Sequence, residues 1–235
     1  MSGDFPLPAD YHVAMDRSCR QEGTGKGSFA LDQESHPEIT PRSFYERPAD
    51  LVAPDLLGRI LSVRAGPGRV RGRIVETEAY VGIHDLACHA AKGRTARTAT
   101  MFGPPGRAYV YLVYGMHNML NLVAAPEGDP QAVLIRALEP LEPESGTPYR
   151  GPGVLCRRLG IDRTDDGSDL CGNGKVRVET GLPARSEEIL STPRIGVDYA
   201  GEWKDAPLRF CLRGNRHVSG TRGSRSETGR HQGLR

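Results

Sequence analysis

The sequence predicts an α+β protein: a single domain with a mixed or antiparallel sheet and flanking helices. Three observations carry this. Hydrophobic residues make up 37% of the 235 positions, enough for one real core. Between residues 59 and 138, five short runs rich in β-branched or aromatic residues are bounded by Gly or Pro, which is the pattern of strands. Residues 48–57 and 152–159 instead place apolar side chains at helical spacing, and each segment is followed by a glycine.

Taken in order, residues 1–43 are rich in Gly, Pro, Ser, Asp and Glu without a sustained apolar period, and read as a mobile leader. The folded unit is expected from Phe44. Residues 48–57 form a helix that buries Leu51, Val52, Leu56 and Leu57 and stops near Gly58. Strands follow at 59–63, 69–77, 109–114, 121–125 and 132–138. Residues 152–159 form a second helix, with Pro152 in the first turn and Gly160 as its stop. Residues 175–179, 194–197 and 208–213 offer late strands. The domain runs from 44 to 219, and 220–235 read as a disordered basic tail with Leu234 as its one large apolar residue.

The net charge of +2 hides a separation of signs. Residues 1–43 carry 4 basic and 7 acidic side chains, residues 44–212 carry 21 of each, and residues 213–235 carry 6 and 1. Within the neutral middle, Arg59, Arg64, Arg69, Arg71 and Arg73 follow one another without an acid, as do Lys92, Arg94, Arg97 and Arg107. One face could therefore be positive while the total stays near zero, although a patchwork of solvated charges fits equally well. No signal-peptide pattern opens the chain, and the longest apolar run, residues 108–114, falls far short of the roughly 20 residues of a spanning helix. The expectation is a soluble protein of a bacterial-type cytoplasm. Five scattered cysteines without a C-x-x-C pair fit a reducing compartment and no zinc ribbon.

Several patterns invite chemistry. Gly23-Thr-Gly-Lys-Gly27 resembles half a P-loop, but Arg20 replaces the first Gly and Gly27 the Ser or Thr. His84, Asp85, Cys88 and His89 are metal-capable, yet their spacing is not the histidine pair of a zincin, and the site is expected to hold no metal. On a strand, Glu76, Glu78 and Tyr80 share one face and Val75, Thr77 and Ala79 the other. Taken alone, a solvent-facing polar edge explains those acids better than a catalytic site does, since paired acids two apart are common. Five of the 14 aromatic residues, Tyr80, Phe102, Tyr109, Tyr111 and Tyr114, then fall within residues 80–114 beside Arg and His. That mixture stacks bases and holds phosphates.

Glu76-Thr-Glu-Ala-Tyr80, Asp85-Leu-Ala-Cys-His89, Gly93-Arg-Thr95, Met101-Phe-Gly-Pro-Pro-Gly106, Tyr109-Val-Tyr-Leu-Val-Tyr-Gly-Met116, Asn121, Val133-Leu-Ile-Arg-Ala-Leu-Glu-Pro140, Gly151-Pro-Gly153 and Pro207-Leu-Arg-Phe210 occur in that order. Together they closely resemble the alkyladenine (3-methyladenine) DNA glycosylase family over roughly residues 44–219. The resemblance implies a fold like the C-terminal domain of methionyl-tRNA formyltransferase. It also implies excision of damaged purines by nucleotide flipping and hydrolysis of the N-glycosidic bond.

Residue by residue, the resemblance makes Glu78 the general base that activates water and leaves Glu76 structural. Tyr80, His89 and Tyr111 match the positions that sandwich the flipped base, with His89 also hydrogen-bonding the lesion. Tyr114 matches the side chain inserted into the minor groove. Arg136 matches the residue that contacts the target phosphate and helps place the water. Asn121 matches the pocket residue that discriminates against the exocyclic amine of guanine. For His117 and Asn118, which follow Tyr114, the family sets no firm expectation.

No lysine lies in residues 72–91 or 93–174, so base release without strand cleavage is expected. The reading is a monofunctional enzyme that needs no metal or cofactor, acting as a monomer on double-stranded DNA containing damaged purines, with no membrane partner. A second reading keeps the fold but not the catalysis, with Tyr80, Tyr111 and Tyr114 as a nucleic-acid stacking platform. The carboxylate of Glu78 beside a polyanion favours the enzyme. A third, weaker reading is a metal hydrolase built on His84, His89 and Asp85.

Overall fold

The computed structural model describes residues 38–141 and 149–220. Most of the leader, Cys19, the 23–27 glycine run and nearly all of the tail lie outside the described residues. Helices α1 (Arg42–Tyr45) and α2 (Ala49–Asp55) precede a hairpin of β1 (Ile60–Ala65) and β2 (Gly68–Tyr80). A second hairpin, β3 (Ala108–Val113) and β4 (His117–Ala124), leads into β5 (Gln131–Pro140), β6 (Tyr149–Arg150) and α3 (Pro152–Leu159). Strands β7 (Val176–Glu179), β8 (Ile189–Thr192) and β9 (Arg209–Leu212) complete the fold.

The strands make one sheet with the spatial order β3-β4-β5-β2-β1-β7, β6 adding to β5 and β9 to both β2 and β8. All of the pairings between these strands are antiparallel. The α+β expectation holds, and of its two options the sheet takes the antiparallel one. Among the described residues, no helix is long and apolar enough to cross a membrane.

Strand β2 organises the molecule. Its first half pairs with β1 and residues 76–78 pair with β9, while residues 72–80 pair with β5 on the other edge. Both faces are covered from Ile74 to Ala79, every residue of which is buried. Toward α2, Thr77 Oγ1 donates to the Ala53 carbonyl at 2.9 Å, and Val52, Ala53, Leu56 and Leu57 are fully buried. Burying each of the larger side chains contributes roughly 1.5–3 kcal/mol. The opposite face carries Glu76, Glu78 and Tyr80. Here the β2–β5 register slips: Ile74 faces Leu138, Glu76 faces Ala137 and Thr77 faces Ile135, leaving Val75 and Arg136 without direct partners. Such irregularities re-aim side chains, and this one lies where Glu76 and Arg136 meet.

Some elements differ from the sequence expectation. The first long helix ends at Asp55, with Leu56 and Leu57 buried in the following turn, Leu51 only half-buried, and Ala49 and Ala53 buried instead. Pro54 sits in the last turn, and Gly58 reverses the chain at φ +89°. Glu38 and Thr40, read as leader, already hydrogen-bond to the chain around β7. The expected strand at 194–197 is absent; the nearby strand is β8, which sequence reading missed. The reason is chemical: the Ile195 amide donates to a side-chain carboxylate, Glu78, instead of to a neighbouring strand. Helix α3 behaves as expected, with Pro152 opening it and Gly160 closing it in the left-handed conformation.

Gly58 allows the close passage of residues 181–184. A Cβ at Gly58 would stand 2.0 Å from the Leu182 carbonyl oxygen, and one at Gly181 would stand 2.2 Å from the Gly58 oxygen. Because the clash is with backbone and φ is positive, Gly58→Ala is expected to lower stability by more than about 1 kcal/mol. A fall in the urea midpoint at unchanged m-value is the measurement that checks it.

Candidate functional site

At the slipped register the sheet buries four charges. Glu76 is fully buried, and its Oε1 accepts from Arg136 Nε at 2.9 Å and from Arg209 Nε at 2.7 Å. Its Oε2 accepts from the Ser219 amide at 2.6 Å. Glu78, equally buried, accepts from Arg136 Nη1 at 3.1 Å and the Ile195 amide at 2.8 Å on Oε1. Its Oε2 accepts from the Tyr80 hydroxyl at 2.9 Å. The solvent-facing edge that the acids could have formed is thus excluded. Arg136 is also close to Ser219 Oγ, 3.5 Å from Nη2. Burial works against the Arg136 charge, but Glu78 and Glu76 outweigh it and hold its pKa above the ordinary value.

A cleft of about 340 Å³ opens beside this network, within the range of small-molecule pockets. Tyr80, Arg136 and Ile195, the three partners of Glu78, all line it. Strand β3 supplies Tyr109 and Tyr111, two residues apart and so on the same face, and the turn at His89–Lys92 supplies His89. The His89 and Tyr111 rings meet edge to face, 4.4 Å between centroids and 75° between planes. A flat base can therefore stack on one ring while meeting the edge of the other. Arg97 lies over Tyr111, 5.3 Å from its centroid.

His89 Nδ1 lies 3.0 Å from the Tyr109 hydroxyl. Burial, helped by Arg97 and Lys92, depresses its pKa from 6.5 to about 4, so the ring is neutral at pH 7. Burial likewise pushes Tyr109 up to about 12 and Tyr80 well above the ordinary phenol value. Opposite Tyr109 on β4, Asn121 donates its amide nitrogen to the Tyr109 and Met119 carbonyls at 3.2 and 3.3 Å. That orientation leaves the amide oxygen as the end available to the cleft.

The β3–β4 turn puts Tyr114 at the mouth. Its φ is +51°, followed by Gly115 at +71°, the left-handed pair that suits the twist of a tight hairpin. A tyrosine in this conformation costs roughly 1–2 kcal/mol, and its side chain is 89% exposed. Just after the turn, His117 packs against Gly153 in the first turn of α3.

Of the seven residues singled out from the sequence, Arg136, Tyr80, His89, Tyr111, Asn121 and Tyr114 line this cleft, and Glu78 lies fully buried behind Tyr80, Arg136 and Ile195. Sequence reading missed Arg209, Ser219 and the Ile195 amide, which complete the charge network, and Arg194. Arg209 stood in a quoted motif without a role, whereas nothing in the local sequence marks Arg194 or the Ile195 amide. Asp85, weighed with His84, Cys88 and His89 as a metal ligand, instead forms a buried pair with Arg194, and its two oxygens also accept from the Val81 and Ala87 amides.

Residues 43–216 match the methylpurine-DNA glycosylase family. Among curated relatives, a protein of Myxococcus xanthus is 52% identical over 180 residues, covering 76% of this chain and 92% of its own length. One from Methanocella arvoryzae is 52% identical over 184 residues, 73% of this chain and 91% of its own. One from Legionella pneumophila strain Lens is 49% identical over 181 residues, 77% and 98%. Each bears the name "Putative 3-methyladenine DNA glycosylase". With the match spanning most of the described fold and every residue of the cleft network except Ser219, the chain belongs to the methylpurine-DNA glycosylase family.

Proposed function

We propose that this protein is a monofunctional DNA glycosylase of base excision repair. It flips alkylated or deaminated purines out of duplex DNA and hydrolyses the N-glycosidic bond, leaving an abasic site. Substrates of this chemistry include 3-methyladenine, 7-methylguanine, hypoxanthine and etheno-adenine. The observation that carries the reading is Glu78: a carboxylate held by Arg136, Tyr80 and the Ile195 amide behind the floor of an aromatic cleft. The scaffold is proposed to be the formyltransferase C-terminal-domain type.

Glu78 acts as the general base, a role worth about 10²–10⁴-fold in rate. Arg136 holds that carboxylate and the attacking water; its Nη2, on the long contact to Ser219, is the nitrogen nearest to being free for a target phosphate. Tyr80, His89 and Tyr111 stack on the flipped base, at roughly 1–3 kcal/mol per base, which offsets part of the unstacking cost. Neutral His89 can accept or donate one hydrogen bond to the lesion, with Tyr109 fixing its tautomer. Asn121, held by its Nδ2 on the Tyr109 and Met119 carbonyls, discriminates against guanine by crowding the exocyclic amine in the cleft wall and not by electrostatic repulsion, since an amide oxygen accepts from an amine. Tyr114 fills the gap in the duplex, a wedge role that aromatic residues suit. Among the described residues no lysine lines the cleft, and Lys175 is committed to Gly160 and Asp165, which supports hydrolysis over a Schiff-base route.

The purified protein is expected to release 3-methyladenine and hypoxanthine from damaged duplex DNA in the presence of chelator. Glu78→Gln should lower single-turnover release at least about 10²-fold. Full turnover by that variant would sink the assignment. Strand breaks should appear only after hot alkali, and breaks before it would refute the monofunctional mechanism.

His89 gives a separate test. Its folded-state pKa lies below the ordinary value of 6.5, so between pH 6.5 and about 4 the unfolded chain binds a proton that the folded chain excludes. Stability from this group is complete above pH 6.5 and is lost as pH falls through that window. Compared with His89→Gln, the wild type should therefore lose stability on going from pH 7 to pH 5, and an NMR titration should place His89 near 4.

A further inference from the structure

Arg194 and Asp85 form a fully buried ion pair, Nη1 to Oδ2 at 2.5 Å and Nη2 to Oδ1 at 2.8 Å. The pair lies outside the charge network of Glu76 and Glu78. Arg194 Nη1 also donates to the Ala79 carbonyl at 2.9 Å, and its guanidinium lies over the Tyr80 ring, 4.8 Å from the centroid. Tyr80 lines the cleft, whereas the Arg194 side chain over its ring is fully buried and does not. The ring thus separates a permanent cation from whatever stacks on the cleft side.

That arrangement bears on charge. An aromatic ring attracts a cation on either face, but a guanidinium already on one face repels a second cation on the other through the thin ring. Asp85 cancels most of this repulsion by pairing with Arg194 in the same buried layer. The other charges near the ring are Glu78, on the Tyr80 hydroxyl, and Arg136, which is paired with it. Purine lesions fall into two electrostatic classes: N-alkylated bases that carry a positive charge, and neutral deaminated or bridged ones.

We propose that Asp85 compensates the charge of Arg194 behind Tyr80, so that this buried guanidinium does not bias the cleft against cationic purine lesions relative to neutral ones. The pair touches no substrate and acts through the Tyr80 ring. This rests on the glycosylase reading above and adds the means by which the same site accommodates a charged base. With Asp85 neutralised, Arg194 stands uncompensated and cationic lesions lose. With Arg194 neutralised, Asp85 stands alone and they gain.

The test is single-turnover release of 7-methylguanine and of hypoxanthine from matched duplexes by the full chain, read as the ratio of the two. Asp85→Asn is expected to lower the 7-methylguanine to hypoxanthine ratio about five- to tenfold, and Arg194→Gln to raise it, the size expected of one charge in a partly buried site. The double variant Asp85→Asn/Arg194→Gln, which buries no unpaired charge, should return the ratio to within about twofold of wild type. Equal loss on both lesions in both single variants, or a shift in the same direction, would overturn the proposal by making the pair a structural prop. If one single variant does not fold, the direction of the other decides. Failure of both to fold would also count against it, assigning the pair to the fold instead of to specificity. Wild-type protein that releases neither base would refute the glycosylase reading itself, a result distinct from an unmoved ratio.

Discussion

Glu76 is the constraint on which the rest of the site depends. A carboxylate with no exposed surface must be fully compensated, and this one is, by Arg136, Arg209 and the Ser219 amide. Removing one partner of such a buried pair costs about 3–5 kcal/mol, because the charge left behind has no water to turn to. The arrangement ties β5, β9 and the end of the described chain to one point on β2. It also fixes the Arg136 guanidinium from one side, so that its other nitrogen meets Glu78 in a single geometry. Glu76 thereby positions the neighbouring acid without facing the cleft.

The two acids of Glu-Thr-Glu therefore divide the work that their equal spacing conceals. Both lie on one face of β2 and both bind Arg136, yet Glu76 is closed off by three donors from distant segments, whereas the partners of Glu78 all line the cleft. The same division appears at the aromatic wall. Both line the cavity, but Tyr109 is buried and braces His89, while Tyr111, two residues further along the strand, is partly exposed. Strand periodicity places such residues side by side; depth along the strand decides which of them supports and which contacts.

The strands other than β6 and β8, α3 and the clustering of acid, aromatics and arginine are legible because each depends on local pattern: alternation along β2 and β3, Pro152 and Gly160 at the ends of α3. The face shared by Glu76, Glu78 and Tyr80 followed from a period of two. What was not legible is long-range. Whether those acids met water or arginine turned on β5 and β9, and alternation alone favoured water. Arg194 followed by Ile-Gly-Val looked like a strand because the runs are apolar, but its backbone and side chain are used up by Glu78, Ala79 and Asp85. Likewise Asp85 beside two histidines and a cysteine invited a metal, and its actual partner lies 109 residues away.

The hydrogen bond from the Ser219 amide to Glu76 spans 143 residues of sequence. Contacts of such separation form late, since the loop must close before the contact contributes. During synthesis the sheet around β2 and β5 can assemble before β9 is made, and the carboxylate at its centre gains Arg209 and Ser219 only after β9 and the residues following it have emerged. A nascent chain that ends before β9 thus holds Glu76 only partly compensated, and the geometry of Arg136 beside Glu78 is fixed only once Arg209 and Ser219 have joined it.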